Sequence, residues 1–277
     1  METVIAAIAL AFLLGFFILF VLIEPRRCSA KQETDFCRLN YAHRGLHTRD
    51  LTVPENSLAA FRRAADAGYG IELDVRLTRD GEVVVCHDDD LHRVTGKTAL
   101  VSELDYVNLA DYPLHGTAER VPRFADVLET VAGRVPLLVE LKTGPRRVEL
   151  CEKTLALLEA YGGLYCIESF DPRIVAWFNK HRANVFRGQL TASYRELREG
   201  TGKAAAFAVS RVLLNCIARP HFIAHQKGKK SALVRLCEFL GAKRFVWTVR
   251  DTDDVESIAA ASDSVIFEFY TPRTWLR

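Results

Sequence analysis

Residues 71–87 read IELDVRLTRDGEVVVCH. Ile71, Leu73, Val75 and Leu77 alternate with Glu72, Asp74, Arg76 and Thr78, the period of a strand. Alternation puts Glu72 and Asp74 on one face, about 7 Å apart along the chain. A second strand-like run, EVVVCH, follows after only TRDG, which is a turn and too short for a helix. The pair therefore predicts a local β-hairpin whose first strand is apolar on one side and acidic on the other.

Working outward, seven more strand-like runs lie at 39–43, 136–141, 164–169, 185–190, 221–225, 244–249 and 264–269, nine in all with the hairpin. Helical patterns fit between most of them. One opens with Asn56 or Ser57 as N-cap, carries an apolar stripe at Leu58, Phe61 and Ala65, and closes at Gly68. Another starts at Asp171 with Pro172 in its first turn. Others fit 123–132, 147–160, 231–240 and 253–261. About eight β–α repeats predict a closed (β/α)8 TIM barrel rather than an open sheet, with one strand of the nine extra and the hairpin as the departure. Residues 200–222, with Phe207, Val209, Leu213 and Ile217, read as one long apolar helix, either on the barrel's outside or resting in a membrane interface.

The first residues differ in kind. Positions 4–23 are 20 residues without a charge or a strongly polar side chain. At 1.5 Å per residue such a helix spans about 30 Å, the thickness of a hydrocarbon core. Only Glu2 precedes it and EPRRCSAK follows, which suits an uncleaved single-span anchor better than a cleaved signal peptide. The expected organisation is an anchor at 1–25, a juxtamembrane linker at 26–38 and a barrel domain at 39–277. Arg26, Arg27 and Lys31 after the span place the barrel in the cytoplasm by the positive-inside rule, at the cell membrane. Seven scattered cysteines agree with a reducing compartment, and Cys28 beside the span reads as an unmodified thiol.

Of the 277 residues 49% are hydrophobic, enough for one large core. Lys and Arg number 37 against 35 Asp and Glu, so the balance gives no footprint for nucleic acid, and nothing in the chain identifies a protein partner.

In such barrels reactive side chains sit at the C-terminal ends of strands. Those ends carry His43 and Arg44, Glu72 and Asp74, His87 and Asp88, Glu140 and Lys142, and Trp247. Inward carboxylates are costly unless cations compensate them. Glu72, Asp74 and Glu140 supply three hard oxygen ligands for one divalent cation, Mg²⁺ or Ca²⁺. Arg44 and Lys142 add donors for a phosphate anion. His43 and His87 suit an acid–base pair. A divalent cation, a phosphate clamp and two imidazoles point to phosphoester cleavage. Asp88 orients His87 or caps the following turn, and Trp247 stacks on substrate or fills the barrel mouth. His47, close after the glycine of HRG, reads as a surface or packing residue rather than one that reaches the site.

These residues resemble the glycerophosphodiester phosphodiesterase family. Its pieces occur in order as AHRG (42–45), PENS (54–57), ELDVRLTRDG (72–81), VVVCHDD (83–89), ELK (140–142), ESF (168–170) and WTV (247–249). The resemblance implies a barrel, divalent-metal catalysis, and hydrolysis of a glycerophosphodiester to sn-glycerol 3-phosphate and an alcohol. It also implies metal ligands at Glu72, Asp74 and Glu140, acid–base histidines at His43 and His87, phosphate contacts from Arg44 and Lys142, and a supporting place for Glu55 in PEN. Related members act on lysophospholipids. Two positions depart from the pattern: Arg250 follows WTV where Asn is usual, and Glu268 stands near a usual Asp. Neither is expected to touch the metal or histidine set; both fall at the polar-alcohol end of the substrate. The rival readings are a lysophospholipase D or sphingomyelinase D-like activity on membrane lysolipids, and a non-catalytic membrane protein that binds phosphorylated ligands.

Overall fold

The structure, a computed structural model, describes residues 1–272; residues 273–277 of the expected barrel domain lie outside the described residues. Nine strands run β1 Asn40–Ala42, β2 Gly70–Leu77, β3 Val83–Val85, β4 Leu137–Leu141, β5 Tyr165–Ser169, β6 Arg187–Thr191, β7 Phe222–Gln226, β8 Lys243–Arg250 and β9 Ser264–Glu268. Their order is β1-β9-β8-β7-β6-β5-β4-β2-β3, and β1 also pairs with β2. That last pairing, Tyr41 opposite Gly70 and Ala42 opposite Ile71, closes eight parallel strands into a barrel. β3 is the extra strand. It folds back antiparallel on β2 with Val75 opposite Val85, so the hairpin lies where the sequence puts it.

β3 has a reason to be there. Val84 and Cys86 pack with Leu91, Val94, Val101, Leu109, Leu114 and Val121 in a small core of their own. This insertion, built from the His92–Thr95 helix and three short 3₁₀ turns, extends the barrel wall beside β2. It carries His87 and Asp88 at its start and Arg93 behind them.

Strand alternation divides the rest. Ile71, Leu73, Val75, Leu137, Val139, Leu141 and Ile167 face outward and pack under helices through Phe61, Phe124, Leu150, Ile174 and Phe178. Burial of each such side chain is worth about 2 kcal/mol. The inward residues form a second core of Tyr41, Leu138, Cys166, Phe186, Phe222, Phe245 and Ile266. The Phe222 and Phe245 rings stack at 4.2 Å between centroids and Phe186 stacks on Phe222 at 5.0 Å. Gly188 makes this possible, since a Cβ there would lie 2.0 Å from the Phe222 ring.

The stretch expected as a linker contains a capped helix, Ala30–Phe36, with Ser29 and Gln32 forming a reciprocal capping box. Phe36 stacks on Phe186 at 5.3 Å and its carbonyl accepts from the Tyr41 hydroxyl at 3.0 Å, so this helix closes the end of the barrel from which the strands start. Ser57, not Asn56, caps the Leu58–Asp66 helix, while Asp171 caps Pro172–His181 as expected. The single long helix expected over 200–222 is a misreading. The chain forms Lys203–Ser210 and Asn215–Ala218, broken where Val212 takes a positive φ of 51°.

One helix, Glu2–Ile23, includes a stretch, Thr3–Ile23, long and apolar enough to cross a membrane, whether as a span or as a signal sequence. Ile23 is fully buried against Val212, Ile223, Val234, Cys237 and Ala242. All seven cysteines are free.

Candidate active site

Inward positions change character along each strand. On β4 Leu138 is followed by Glu140, on β5 Cys166 by Glu168, and on β9 Ile266 by Glu268, two residues on and so on the same face. β2 contributes Glu72 and Asp74. The register sets Asp74 opposite Glu140 and Glu140 opposite Glu168, which gathers the carboxylates at the C-terminal rim.

Glu72, Asp74 and Glu140 each offer an oxygen within 4.8 Å of the others, and all three are buried. Lys142 bridges two of them, 2.6 Å from Asp74 Oδ1 and 2.7 Å from Glu140 Oε2. Asn56 donates to Asp74 Oδ2 at 2.8 Å. The Arg44 backbone N–H donates to Glu72 Oε2 at 2.9 Å, and its guanidinium lies 3.5 Å from Asp74 and 2.8 Å from Glu55. Arg44 and Asn56 both hold positive φ, 55° and 54°, with Gly45 between them. Gly45 itself has φ 81°, and a Cβ on it would lie 2.8 Å from Ala60 Cβ, so the HRG turn fits no larger residue.

The charges do not balance. Burial and then Asp74, Glu168 and Glu140 push the Glu72 carboxyl well up. Burial and then Glu140 do the same to Glu168, whose Oε2 has no hydrogen-bond partner. Burial also raises Asp74, but Lys142, His87 and Arg44 outweigh it and hold its carboxyl well below the usual range. Burial opposes the charge on Lys142, yet Asp74 and Glu140 raise it. Four buried carboxylates thus face two cations, Lys142 and Arg44. A group of this composition fits a divalent cation, which would remove the excess negative charge.

Both expected histidines are oriented by carboxylates. His43 Nδ1 lies 2.7 Å from Glu268 Oε1, and its Nε2 is 3.9 Å from Glu72. Burial and then Arg44 lower His43 to about 4, against the pull of Glu268. His87 Nδ1 lies 2.7 Å from Asp88 Oδ1, so of the two expectations for Asp88 the orienting one holds. Behind it Arg93 donates to Asp88 at 2.5 Å and clasps Glu55 through two bonds. Glu55 therefore ties the HRG turn, through Arg44, to the insertion that carries His87.

His43, Arg44, Glu72, His87, Glu140 and Glu168 line one cavity of about 270 Å³. Trp247 forms part of its wall, its Nε1 donating to the Ala224 carbonyl at 3.0 Å and its ring edge-on to Phe170. Lys142 lines a neighbouring pocket with Arg76 and Arg146. His47 lies 3.4 Å from Glu268 and edge-on to Phe269.

The expectation that Arg250 and Glu268 leave the histidine set untouched is overturned. Glu268 accepts from Arg250 at 2.7 Å with one oxygen and meets His43 with the other. The two departures are complementary to each other: a longer carboxylate at 268 reaches His43, and a cation at 250 fixes it. Glu168, Asn56 and Arg93 also escape the sequence reading. Alternation with Cys166 and a place in ESF were the available signals for Glu168, Asn56 stands in PENS but reads there as a helix cap, and nothing local marks Arg93.

The sequence pattern of the glycerophosphoryl diester phosphodiesterase family matches residues 43–270. A glycerophosphodiester phosphodiesterase from Caldanaerobacter subterraneus subsp. tengcongensis is 30% identical over 247 residues, covering 81% of this chain and 91% of that protein. A lysophospholipase D from Rattus norvegicus is 30% identical over 156 residues, 51% of this chain and 48% of its own. Among solved structures, an Oleispira antarctica phosphodiesterase in complex with the product sn-glycerol-3-phosphate superposes with a TM-score of 0.67 at 20% identity, covering 85% of this chain and 94% of that one. A glycerophosphodiester phosphodiesterase from Thermotoga maritima gives 0.62 at 26% identity, covering 83% and 93%. A match that begins at one oriented histidine and runs through the last strand of the barrel means that the chain belongs to the glycerophosphoryl diester phosphodiesterase family, and it is a phosphoric diester hydrolase.

Proposed function

We propose that this chain is a membrane-anchored, divalent-cation-dependent hydrolase that splits glycerophosphodiesters into sn-glycerol 3-phosphate and an alcohol. The observation that carries the reading is one cavity lined by two carboxylate-oriented imidazoles together with Glu72 and Glu140 of the acidic cluster. Glu72, Asp74 and Glu140 would hold the cation, Mg²⁺ or Ca²⁺, and Asn56 and Lys142 would steady Asp74 and Glu140 from behind. Bound there, it supplies Lewis-acid charge to a phosphate oxygen.

The chain's own residues do the rest. Glu268 and Asp88 each engage a Nδ1, which leaves His43 Nε2 and His87 Nε2 to the cavity. One imidazole takes the proton of the attacking hydroxyl or water, and the other protonates the leaving oxygen. Arg44, in the cavity wall beside Glu72, stabilises charge growing on the phosphoryl oxygens, and Lys142 adds positive potential from the adjoining face. Trp247 and Phe170 bound the space left for the alcohol. Residues 1–25 serve as the anchor and 39–272 as the described part of the catalytic domain, with the barrel on the cytoplasmic side.

The name of the rat relative favours a second reading, lysophospholipase D activity. Incubating the full chain with glycerophosphocholine and with lysophosphatidylcholine, with Mg²⁺, with Ca²⁺ and with EDTA, tests both. The proposal expects cation-dependent sn-glycerol 3-phosphate and choline from the first substrate. Lysophosphatidic acid and choline from the second alone would replace it with the other reading.

A further inference from the structure

Arg187 is fully buried, yet among the described residues no carboxylate meets it. Its guanidinium is held by the carbonyls of Ala183, Val185 and Ala218 and by Asn179 Oδ1 at 2.6 Å. A buried cation satisfied only by neutral acceptors leaves its charge uncompensated. More cations gather beside it. Arg26, anchored through its backbone N–H to the Pro220 carbonyl at 2.9 Å, is close enough to lower both Arg187 and His221, in each case after burial. Arg26 and Arg27 are exposed and, among the described residues, their guanidinium groups have no ion-pair partner. Arg219 is the exception, paired with Glu24. Among the described residues, one carboxylate, Glu24, thus pairs with one of these four guanidiniums.

Arg26, Arg27 and Arg219 line a cleft of about 540 Å³ with Glu24 and Asn179 on its polar side and Phe20, Pro25 and Leu240 on its apolar one. The Glu24 carboxylate is engaged by Arg219, so Arg26 and Arg27 are the cations left to meet an anion. Phe20 belongs to the last turn of the apolar N-terminal helix, so the cleft opens where that helix meets the barrel.

We propose that this cleft binds the phosphate headgroup of an anionic bilayer lipid. The site rests on the reading of the N-terminal helix as a membrane span, because that reading sets the cleft at the headgroup level. Position decides between a lipid and a free anion: the arginines face a wall to which the span contributes Phe20 and the barrel Leu240, where an acyl chain runs while the phosphate meets Arg26 and Arg27.

The test uses the full chain in nanodiscs of phosphatidylcholine, alone or with phosphatidylglycerol, and reads the melting temperature of the barrel by circular dichroism. Phosphatidylglycerol should raise it by a few degrees, and the Arg26→Gln/Arg27→Gln variant should lose that rise while melting normally in phosphatidylcholine alone and keeping full activity on a soluble diester. Arg62→Gln/Arg63→Gln, two exposed arginines on a barrel helix, should keep it. An equal rise in the first variant, or an equal loss in the second, overturns the site in favour of general surface charge. A rise given by millimolar inorganic phosphate in phosphatidylcholine discs overturns the lipid assignment. Failure of the chain to enter discs of either composition removes the span, and this site with it, but leaves the catalytic reading untouched.

Discussion

The two ends of the barrel interior are built from the same strands and obey opposite rules. Where the strands start, Tyr41, Leu138, Cys166, Phe186, Phe222, Phe245 and Ile266 pack as an apolar plug sealed by Phe36. Two residues beyond Leu138, Cys166 and Ile266, the same faces carry Glu140, Glu168 and Glu268. A strand can thus hold stability and chemistry on one face, separated by a single step of the pleat, because side chains at i and i+2 share a side.

Substitutions at the two ends should therefore separate function from stability. The largest effect expected is on turnover: His43→Ala or His87→Ala lowers kcat by about 10²–10⁴ with little change in melting temperature. Near-normal turnover in both variants would dissolve the acid–base assignment. At the other end Phe222→Ala should cost about 3–5 kcal/mol of stability in urea unfolding, with kcat of the folded fraction preserved. A loss of kcat instead would mean that the plug takes part in the chemistry.

Glu268→Gln sharpens the comparison, since position 268 follows Ile266 of the plug and orients His43. We expect kcat to fall about tenfold or more with KM little changed, and Glu268→Asp with Arg250→Asn to recover less than Glu268 itself. Smaller again, Glu168→Gln should stabilise the chain in EDTA at pH 8 by about 1–2 kcal/mol, because it removes a buried carboxylate with an unpartnered oxygen. Destabilisation there would show that Glu168 is already balanced without a cation.

The last effect is a slope with pH. His221 packs on Phe186 in the closed end, and burial, followed by Arg187 and Arg26, lowers it to about 3. Its folded value lies below the unfolded value of about 6.5, so the unfolded chain binds the proton first. Stability is full above about pH 6.5 and falls by up to about 1.4 kcal/mol per pH unit below it. His221→Asn, which keeps an acceptor for the Arg187 N–H, should flatten that slope in urea titrations at pH 7 and pH 5.

The barrel and the acidic cluster were legible because both follow from period-two alternation repeated along the chain. The pairs Glu72–Asp74 and Glu140–Lys142 reveal their shared faces without any knowledge of their neighbours. What stayed hidden depends on contacts between distant positions. Glu268 meets His43 across 225 residues, and Arg93 reaches Glu55 across 38. No local pattern records such a meeting, so Glu268 read only as a departure from a motif. The break at Val212 was hidden for another reason. An apolar helical stripe continues through residues 211–214, but tertiary packing of Val212 and Leu213 against Ile23 overrides it.

The junction at Ile23 has a consequence for how far the enzyme can forage. The helix Glu2–Ile23 meets the barrel through Leu19, Leu22 and Ile23 at its C-terminal end, beside Ala242, and Arg26 just beyond it bonds Pro220, where β7 and β8 begin. Gln226 and Lys227, at the other end of β7, border the catalytic cavity. With the helix as the anchor, the mouth lies a strand's length, about 15 Å, from the end of the barrel that holds the helix. Diesters dissolved in the surrounding water would reach it directly, whereas a lipid would first have to leave its leaflet.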